Sequence, residues 1–228
     1  MAISTRLFKN GAYLQSSTTL FVFFASWGIW WSFFSTWLDK TLGLSGGQIG
    51  MIYSVNSLTT IAVLLFYGMT QDRLVLRRHL VIAASVVMAC LAPFAILLYE
   101  PLLKNAFVLG LVVGSIYLPF GYTSAVGLME AFSERLSRTY GFAYGSARGW
   151  GSLGYAVAAL FTGFIFTINP HINFYIGSAL GVLNLLIQIF WKTDKVPLAP
   201  GHSDHPHAPS MREIVAVLRF KHLWVIIG

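Results

Sequence analysis

The sequence predicts an all-α integral membrane protein with six spanning helices, a linker and the start of a seventh helix. Three observations predict it. Of 228 residues, 56% are hydrophobic and only 10% are charged, well below the roughly 25% charged of a soluble domain. Apolar runs longer than about eighteen residues follow one another along the chain, and that length crosses a bilayer core. The Lys and Arg residues fall almost entirely between those runs. The net charge of +7 therefore carries topology rather than a nucleic-acid surface.

The elements follow in order. A basic N-terminus, 1–16, carries Arg6 and Lys9. Span 1 covers 17–38; it lacks a small-residue cleavage site and is too long for a signal peptide, so it stays as a helix. A short loop, 39–45, leads to span 2 at 46–70 and the charged turn 71–78. Span 3 covers 79–99 and is closed by Glu100-Pro101 and Lys104. Span 4 covers 105–129 and continues as helix past Glu130; span 5 covers 142–168. Asn169-Pro170 makes a tight turn, since proline cannot continue a helix, and span 6 covers 171–191. The domain organisation is thus a bundle at 1–191, a linker at 192–213 rich in Pro, and at 214–228 the start of a second bundle. The last apolar run is too short to cross about 30 Å of hydrocarbon, so the expectation is the N-terminal half of a longer protein. The single cysteine, Cys90, excludes an intramolecular disulfide and reads as a small packing residue.

Side assignment comes from the basic residues. Arg6, Lys9, Arg73, Arg77, Arg78, Arg135, Arg138, Lys192, Lys195, Arg212, Arg219 and Lys221 fall on one side, and Lys40 and Lys104 on the other. Twelve against two places the first side, with the N-terminus and linker, in the cytoplasm.

Glu130 and Arg148 border long apolar runs, and a charge at that depth is a functional hypothesis by default. They lie nine positions either side of Thr139. A turn there between antiparallel helices puts each about 13 Å from the turn, at roughly 1.5 Å per residue. Ser152 and Tyr155 follow Arg148 at i+4 and i+7, one stripe of a helix. Carboxylate and guanidinium make charge-assisted bonds to hydroxyls, and the fork of Arg suits paired ones. An acid, a guanidinium, a hydroxyl and a ring at one depth are what a sugar site needs. The plainer alternative is a structural ion pair, or local pairing of Glu130 with Arg135.

In span 1, Trp27, Trp30, Trp31 and Phe34 stand at i, i+3, i+4 and i+7. Their rings stack on sugar faces, pack a core or form an interface belt; Trp27 and Trp30 are the candidates for a cavity, with Gly28 leaving room for a ligand. In span 2, Tyr53, Asn56 and Thr60 form a polar face that lines a cavity or bonds a neighbouring helix, with Asn56 the best candidate. Gly110, Gly114, Gly145, Gly149, Gly151 and Gly154 signal close helix packing. His202, His205 and His207 lie in the Pro-rich linker and read as a flexible connector rather than a metal site. There is no Walker A loop, no Ser/His/Asp arrangement and no catalytic carboxylate pair. Neither a cofactor nor a metal is expected, and an enzyme is not.

The cytoplasmic stretch Gly68-Met69-Thr70-Gln71-Asp72-Arg73-Leu74-Val75-Leu76-Arg77-Arg78 resembles the G-x-x-x-D-R/K-x-G-x-R/K-R/K motif of the major facilitator superfamily. Val75 replaces the second glycine of that motif. The resemblance implies a six-helix N-terminal half of a major facilitator fold, with Gly68, Asp72, Arg73, Arg77 and Arg78 acting on conformation rather than on ligand. Glu130, Tyr144-Gly145-Ser146-Ala147, Arg148, Trp150-Gly151, Trp37-Leu38 and Glu100-Pro101-Leu102-Leu103 narrow it: the chain is similar to the oligosaccharide:proton symporters, which include lactose and sucrose permeases. That likeness implies proton-coupled uptake of a disaccharide or small oligosaccharide by alternating access, with Glu130 and Arg148 on sugar hydroxyls and Tyr155 on the ring. Ser152 and Asn56 are secondary. Tyr155 matches the sucrose type, whereas Glu130 does not. The implied partners are the sugar, protons, the lipid bilayer and the missing C-terminal half; nucleic acid is not one. The alternative is a half-protein acting as a membrane sugar sensor or subunit.

Because the implied protonation residues lie mainly in the second half, cells expressing residues 1–228 alone are expected to accumulate no sugar. Uptake of radiolabelled sucrose or lactose above the empty-vector level contradicts this.

Overall fold

The structure, a computed structural model, describes residues 10–73, with side chains to 68, and residues 79–191. The helices are α1 (Gly11–Trp31), α2 (Phe34–Lys40), α3 (Gly46–Arg73), α4 (His79–Ala89), α5 (Leu91–Pro93), α6 (Glu100–Asn105), α7 (Phe107–Leu118), α8 (Ala125–Tyr140), α9 (Tyr144–Ile168) and α10 (Pro170–Phe190). Wider π turns occupy Phe94–Tyr99 and Pro119–Thr123. Among the described residues there is no strand. The linker 192–213, the start of the second bundle at 214–228 and Arg77 and Arg78 lie outside the described residues, as do the side chains of Asp72 and Arg73.

Among the described residues, four segments are long and apolar enough to cross a bilayer: Gly46–Gly68, Phe107–Tyr140, Tyr144–Ile168 and Pro170–Phe190. The bent pair His79–Ala89 and Leu91–Asn105 makes a fifth. The sixth expected span, α1, is 21 residues long but carries Gln15, Ser16, Ser17, Thr18 and Thr19 in its first half. The reason is its position. α1 packs against α8, α9 and α10, and Gln15, Ser16 and Thr19 are fully buried. A helix covered by protein needs no apolar coat; it needs partners for its polar groups. Gln15 Nε2 donates to Trp191 O at 3.1 Å, and Gln188 Nε2 donates to Thr19 Oγ1 at 3.0 Å.

α1 starts at Gly11, inside the stretch expected to be an N-terminal tail. Asn10 caps it, accepting from Ala12 N at 3.0 Å and Tyr13 N at 3.3 Å. Ser32 Oγ donates back to Gly28 O at 2.8 Å, a bond that bends helices, and span 1 breaks there before α2. α3 opens on a capping box: Ser45 N donates to Gln48 Oε1 at 2.9 Å, and Gln48 N to Ser45 Oγ at 3.4 Å.

Prolines break spans 3 and 4 inside the bilayer, and neighbouring side chains take up carbonyls there. Pro93 cannot donate to Ala89 O; Ser178 of α10 donates to that oxygen instead. The bend between α4 and α5–α6 is 50°. Cys90, expected to pack, sits at this break with its side exposed. Beyond Pro119, Tyr67 Oη of α3 donates to Phe120 O at 2.5 Å; in the other direction, Ser124 Oγ of span 4 donates to Thr60 O of α3 at 2.9 Å. The segment after span 3 is helix α6 rather than loop. Glu100 there accepts from Lys104 Nζ at 2.8 Å and meets His171 Nε2 of α10 at 2.8 Å.

Helix α8 runs past Glu130 to Tyr140, as expected. Its buried residues Ala125, Leu128, Met129, Ser133, Leu136 and Ser137 repeat at helical spacing. The turn to α9 comes at 141–143, not at Thr139. Gly141 ends α8 with φ 69°, a left-handed conformation that glycine adopts without strain.

α9 presents Ala147, Gly151, Gly154, Ala158 and Thr162 to the interior, and α1 is its closest neighbour. A Cβ at Gly154 would strike the backbone oxygen of Phe21. Thr162 Oγ1 donates to Ile29 O at 3.1 Å. Gly145 and Gly149 have open space around them, so only part of the glycine pattern serves packing. Gly154→Val is expected to lower stability by about 1–3 kcal/mol, the usual cost of overpacking. Leu153→Val, at a side chain 46% exposed, should be close to neutral. Thermal unfolding in detergent compares the two.

Candidate functional site

The small-residue stripe of α9 positions the charged one. Arg148, Ser152 and Tyr155 each follow a buried residue of that stripe, Ala147, Gly151 and Gly154. They therefore emerge along the edge of the α1–α9 contact. Arg148 Nε donates to Glu130 Oε1 at 2.6 Å, and Arg148 Nη1 donates to Ser152 Oγ at 3.2 Å. Phe24 of α1 lies under the guanidinium, with Cζ 4.3 Å from the ring centroid. Tyr144, one turn earlier on α9, lies beside both charges. The Arg148 and Glu130 side chains are 29% and 32% exposed: partly shielded, yet reachable.

Local pairing of Glu130 does not occur. Glu134 takes Arg138 at 2.6 Å, and Glu130 takes Arg148. Since the turn lies at 141–143, the two charges are not equidistant from it in sequence. Their contact relies on the reach of both long side chains.

Beyond Ser152 the edge becomes aromatic. Tyr155 meets Trp27 edge-on at 6.1 Å between centroids. Trp27 lies 6.0 Å from Trp31, and Trp31 meets Tyr53 of α3 edge-on at 5.5 Å. These four rings are part-buried and continue the surface that begins at Glu130. Trp30 touches Trp31 edge-on at 5.3 Å but lies beneath this surface. It is 2% exposed and packs between Tyr122 at 5.0 Å and Phe174 at 6.2 Å. The i+3 step from Trp27 rotates it toward the π turn of span 4 and α10, so it is a core residue. Gly28 is likewise used up by packing: a Cβ there would sit 3.0 Å from Tyr155 O, which leaves no place for a ligand.

The polar face of α3 divides. Thr60 Oγ1 lies 2.7 Å from Thr123 Oγ1 and donates to Asn56 O at 2.7 Å, so it ties α3 to the π turn of span 4. Asn56 is 5% exposed, and its Oδ1 has no hydrogen-bond partner among the described residues. Tyr53 belongs to the aromatic edge. Gly68, at the start of the charged motif between spans 2 and 3, has open space around it.

Sequence reasoning missed Phe24 for this surface; it placed Trp31 and Tyr53 in the stripes of spans 1 and 2 but preferred Trp27, Trp30 and Asn56 over them. Phe24 stands at i−3 from Trp27, a signal readable only once α1 is known to cross α9 there. No group of three or more His, Cys, Asp or Glu with metal-holding geometry occurs among the described residues.

The model of the LacY proton/sugar symporter family matches residues 5–228. The chain belongs to that family. Sucrose permease of Escherichia coli is 37% identical over 220 residues, covering 96% of this chain and 52% of the relative. Lactose permease of Citrobacter freundii is 34% identical over 204 residues, covering 87% and 49%. Raffinose permease of Escherichia coli is 30% identical over 225 residues, covering 96% and 52%. The chain spans about half the length of these curated relatives. Among solved structures, the nucleoside transporter NupG matches with a TM-score of 0.75 at 18% identity, over 94% of this chain and 52% of that one. This LacY-family chain therefore has the fold of a major facilitator bundle and is a multi-pass membrane protein.

An ion pair that solvent still reaches on one side contributes modestly to stability. A double-mutant cycle of Glu130→Ala and Arg148→Ala in this LacY-family bundle is expected to give a coupling of about 1 kcal/mol or less. Thermal unfolding in detergent measures it; a much larger coupling would make the pair a structural element.

Proposed function

We propose that this chain forms the sugar-binding N-terminal bundle of a symporter that takes up a disaccharide or small oligosaccharide with protons. The observation that carries the reading is the Glu130–Arg148 pair at 2.6 Å, partly exposed and continued by Ser152, Tyr155 and Trp27. The carboxylate and the planar guanidinium bond sugar hydroxyls, and they strengthen that bonding by charge. Tyr155 and Trp27 pack against the C–H face of the ring, and Ser152 adds a hydroxyl. Asn56 offers its unpartnered Oδ1 from α3. Trp30, enclosed in the core, has no part in the site.

The substrate class rests on the relatives, which are named sucrose, lactose and raffinose permeases. Tyr155 inclines the reading toward sucrose and Glu130 does not, so the proposal is the class and not one sugar. Proton coupling rests on the family to which the chain belongs. The sensor reading has no observation in its favour, since the relatives are permeases.

In this reading the protein lies in the plasma membrane with its N-terminus in the cytoplasm, supported by the twelve-against-two distribution of basic residues. Residues 1–191 rock as one bundle against a second, joined through 192–213, with 214–228 beginning that second bundle. Alternating access of this kind exposes a midplane site to each side in turn. Gly68, Asp72, Arg73, Arg77 and Arg78 act on that conformational change.

Arg148→Lys keeps the charge and loses the planar fork. With residues 1–228 joined to a second bundle that restores uptake, Arg148→Lys is expected to reduce sugar transport to near background at unchanged membrane expression. A competition panel of sucrose, lactose, melibiose and raffinose against proton uptake then ranks the substrates. Normal uptake by Arg148→Lys overturns the assignment.

A further inference from the structure

We propose that Phe24 and Gly151 are positioning residues that hold the Arg148 guanidinium flat and in one place for its ligand; the inference rests on the sugar-site reading above. Three neighbours fix three parts of this side chain. Glu130 takes Nε at 2.6 Å, Ser152 takes Nη1 at 3.2 Å, and the Phe24 ring lies under Cζ at 4.3 Å. The two hydrogen bonds set where the edge of the guanidinium points. Only the ring sets where its face lies, because the negative face of an aromatic ring attracts a cation above it.

The ring itself cannot turn away. Phe24 is 5% exposed and meets Phe23 edge-on at 5.2 Å and Trp27 at 6.1 Å. Gly151 completes the arrangement by its lack of a side chain. A Cβ there would fall 2.7 Å from Phe24 Cδ2 and 3.1 Å from Arg148 Nη1. It would therefore press on the ring and on the guanidinium together. Phe21 and Phe24, a turn apart on α1, face Gly154 and Gly151, a turn apart on α9. The first contact sets the distance between the helices, and the second uses that distance to slide a ring beneath the arginine.

The arrangement also explains why a fork exposed at about one third of its surface can act as a defined ligand group. A free arginine would lose rotamer freedom on every binding event. One already held on three sides presents its remaining donors without that loss, which is what a site built on rigid elements requires. Leucine at position 24 would fill the space but has no ring face, whereas tyrosine keeps one.

The test uses residues 1–228 in lipid nanodiscs with 15N-labelled arginine. The Arg148 Nε–H signal is assigned by its loss in Arg148→Lys, and its exchange with water is measured beside a sucrose titration. Phe24→Leu and Gly151→Ala are expected to speed that exchange, and to weaken sucrose binding, by roughly 3- to 30-fold, the range a cation–π contact spans. Phe24→Tyr is expected to stay near wild type in both. Exchange at the wild-type rate in Phe24→Leu, or equal loss of protection in Phe24→Tyr, overturns the proposal. If Phe24→Leu fails to fold, Gly151→Ala and Phe24→Tyr decide between the same outcomes. If the wild-type chain shows no response to sucrose, lactose or raffinose, the substrate reading fails, while the exchange rates still decide whether Phe24 and Gly151 position Arg148.

Discussion

The close approach of α9 to α1 is the contact on which the rest of the site depends. Gly154 lies on the backbone of Phe21, Gly28 on the backbone of Tyr155, and Gly151 on the ring of Phe24. In a bilayer no hydrophobic force drives two helices together, since lipid tails are as apolar as leucine. Association rests on van der Waals contact and interhelical hydrogen bonds, and both demand short distances. Glycine on each helix supplies the distance, and Thr162 adds a bond to Ile29 O. The residues beside this seam, Arg148, Ser152 and Tyr155, then have one direction in which to project.

The interior answers a second constraint: polar groups in a membrane protein need partners inside it. Asn184 Nδ2 donates to Ser85 Oγ at 3.1 Å, and Gln188 Nε2 donates to Thr19 Oγ1. All four residues are fully buried, and together they tie α10 to α4 and α1. The prolines work within the same constraint. Pro93 removes the partner of Ala89 O, and Ser178 supplies another. The break in span 3 is thus tolerated because a neighbour bonds the freed carbonyl, and it lets span 3 bend around α10.

Much of this was legible before any coordinates. The lengths of the apolar runs located α3, α9 and α10 nearly to their ends, and the Asn169-Pro170 turn was readable because proline permits little else. The stripe of Arg148, Ser152 and Tyr155 followed from spacing alone. Other inferences failed for identifiable reasons. Trp30 shares a heptad-like spacing with Trp27, but the spacing does not say which arc of a central helix faces other helices, and α1 is covered on nearly all of them. Gly28 read as space for a ligand because a glycine's absent side chain does not declare what fills the gap. The turn was expected at Thr139, where the charges are symmetric, whereas the left-handed Gly141 decides it.

The sequence by itself determined the class: too few charges for a soluble domain, and apolar runs of spanning length. It also named the chemical types at the candidate site, a carboxylate and a guanidinium beside apolar runs. The tertiary structure decided which residues meet. Glu130 chose Arg148 over its neighbours on α8, Phe24 came to lie beneath the guanidinium, and Trp27 was separated from Trp30. Those outcomes depend on the distance and rotation between helices. Backbone contacts at glycines far apart in the chain set both, and no local pattern records them.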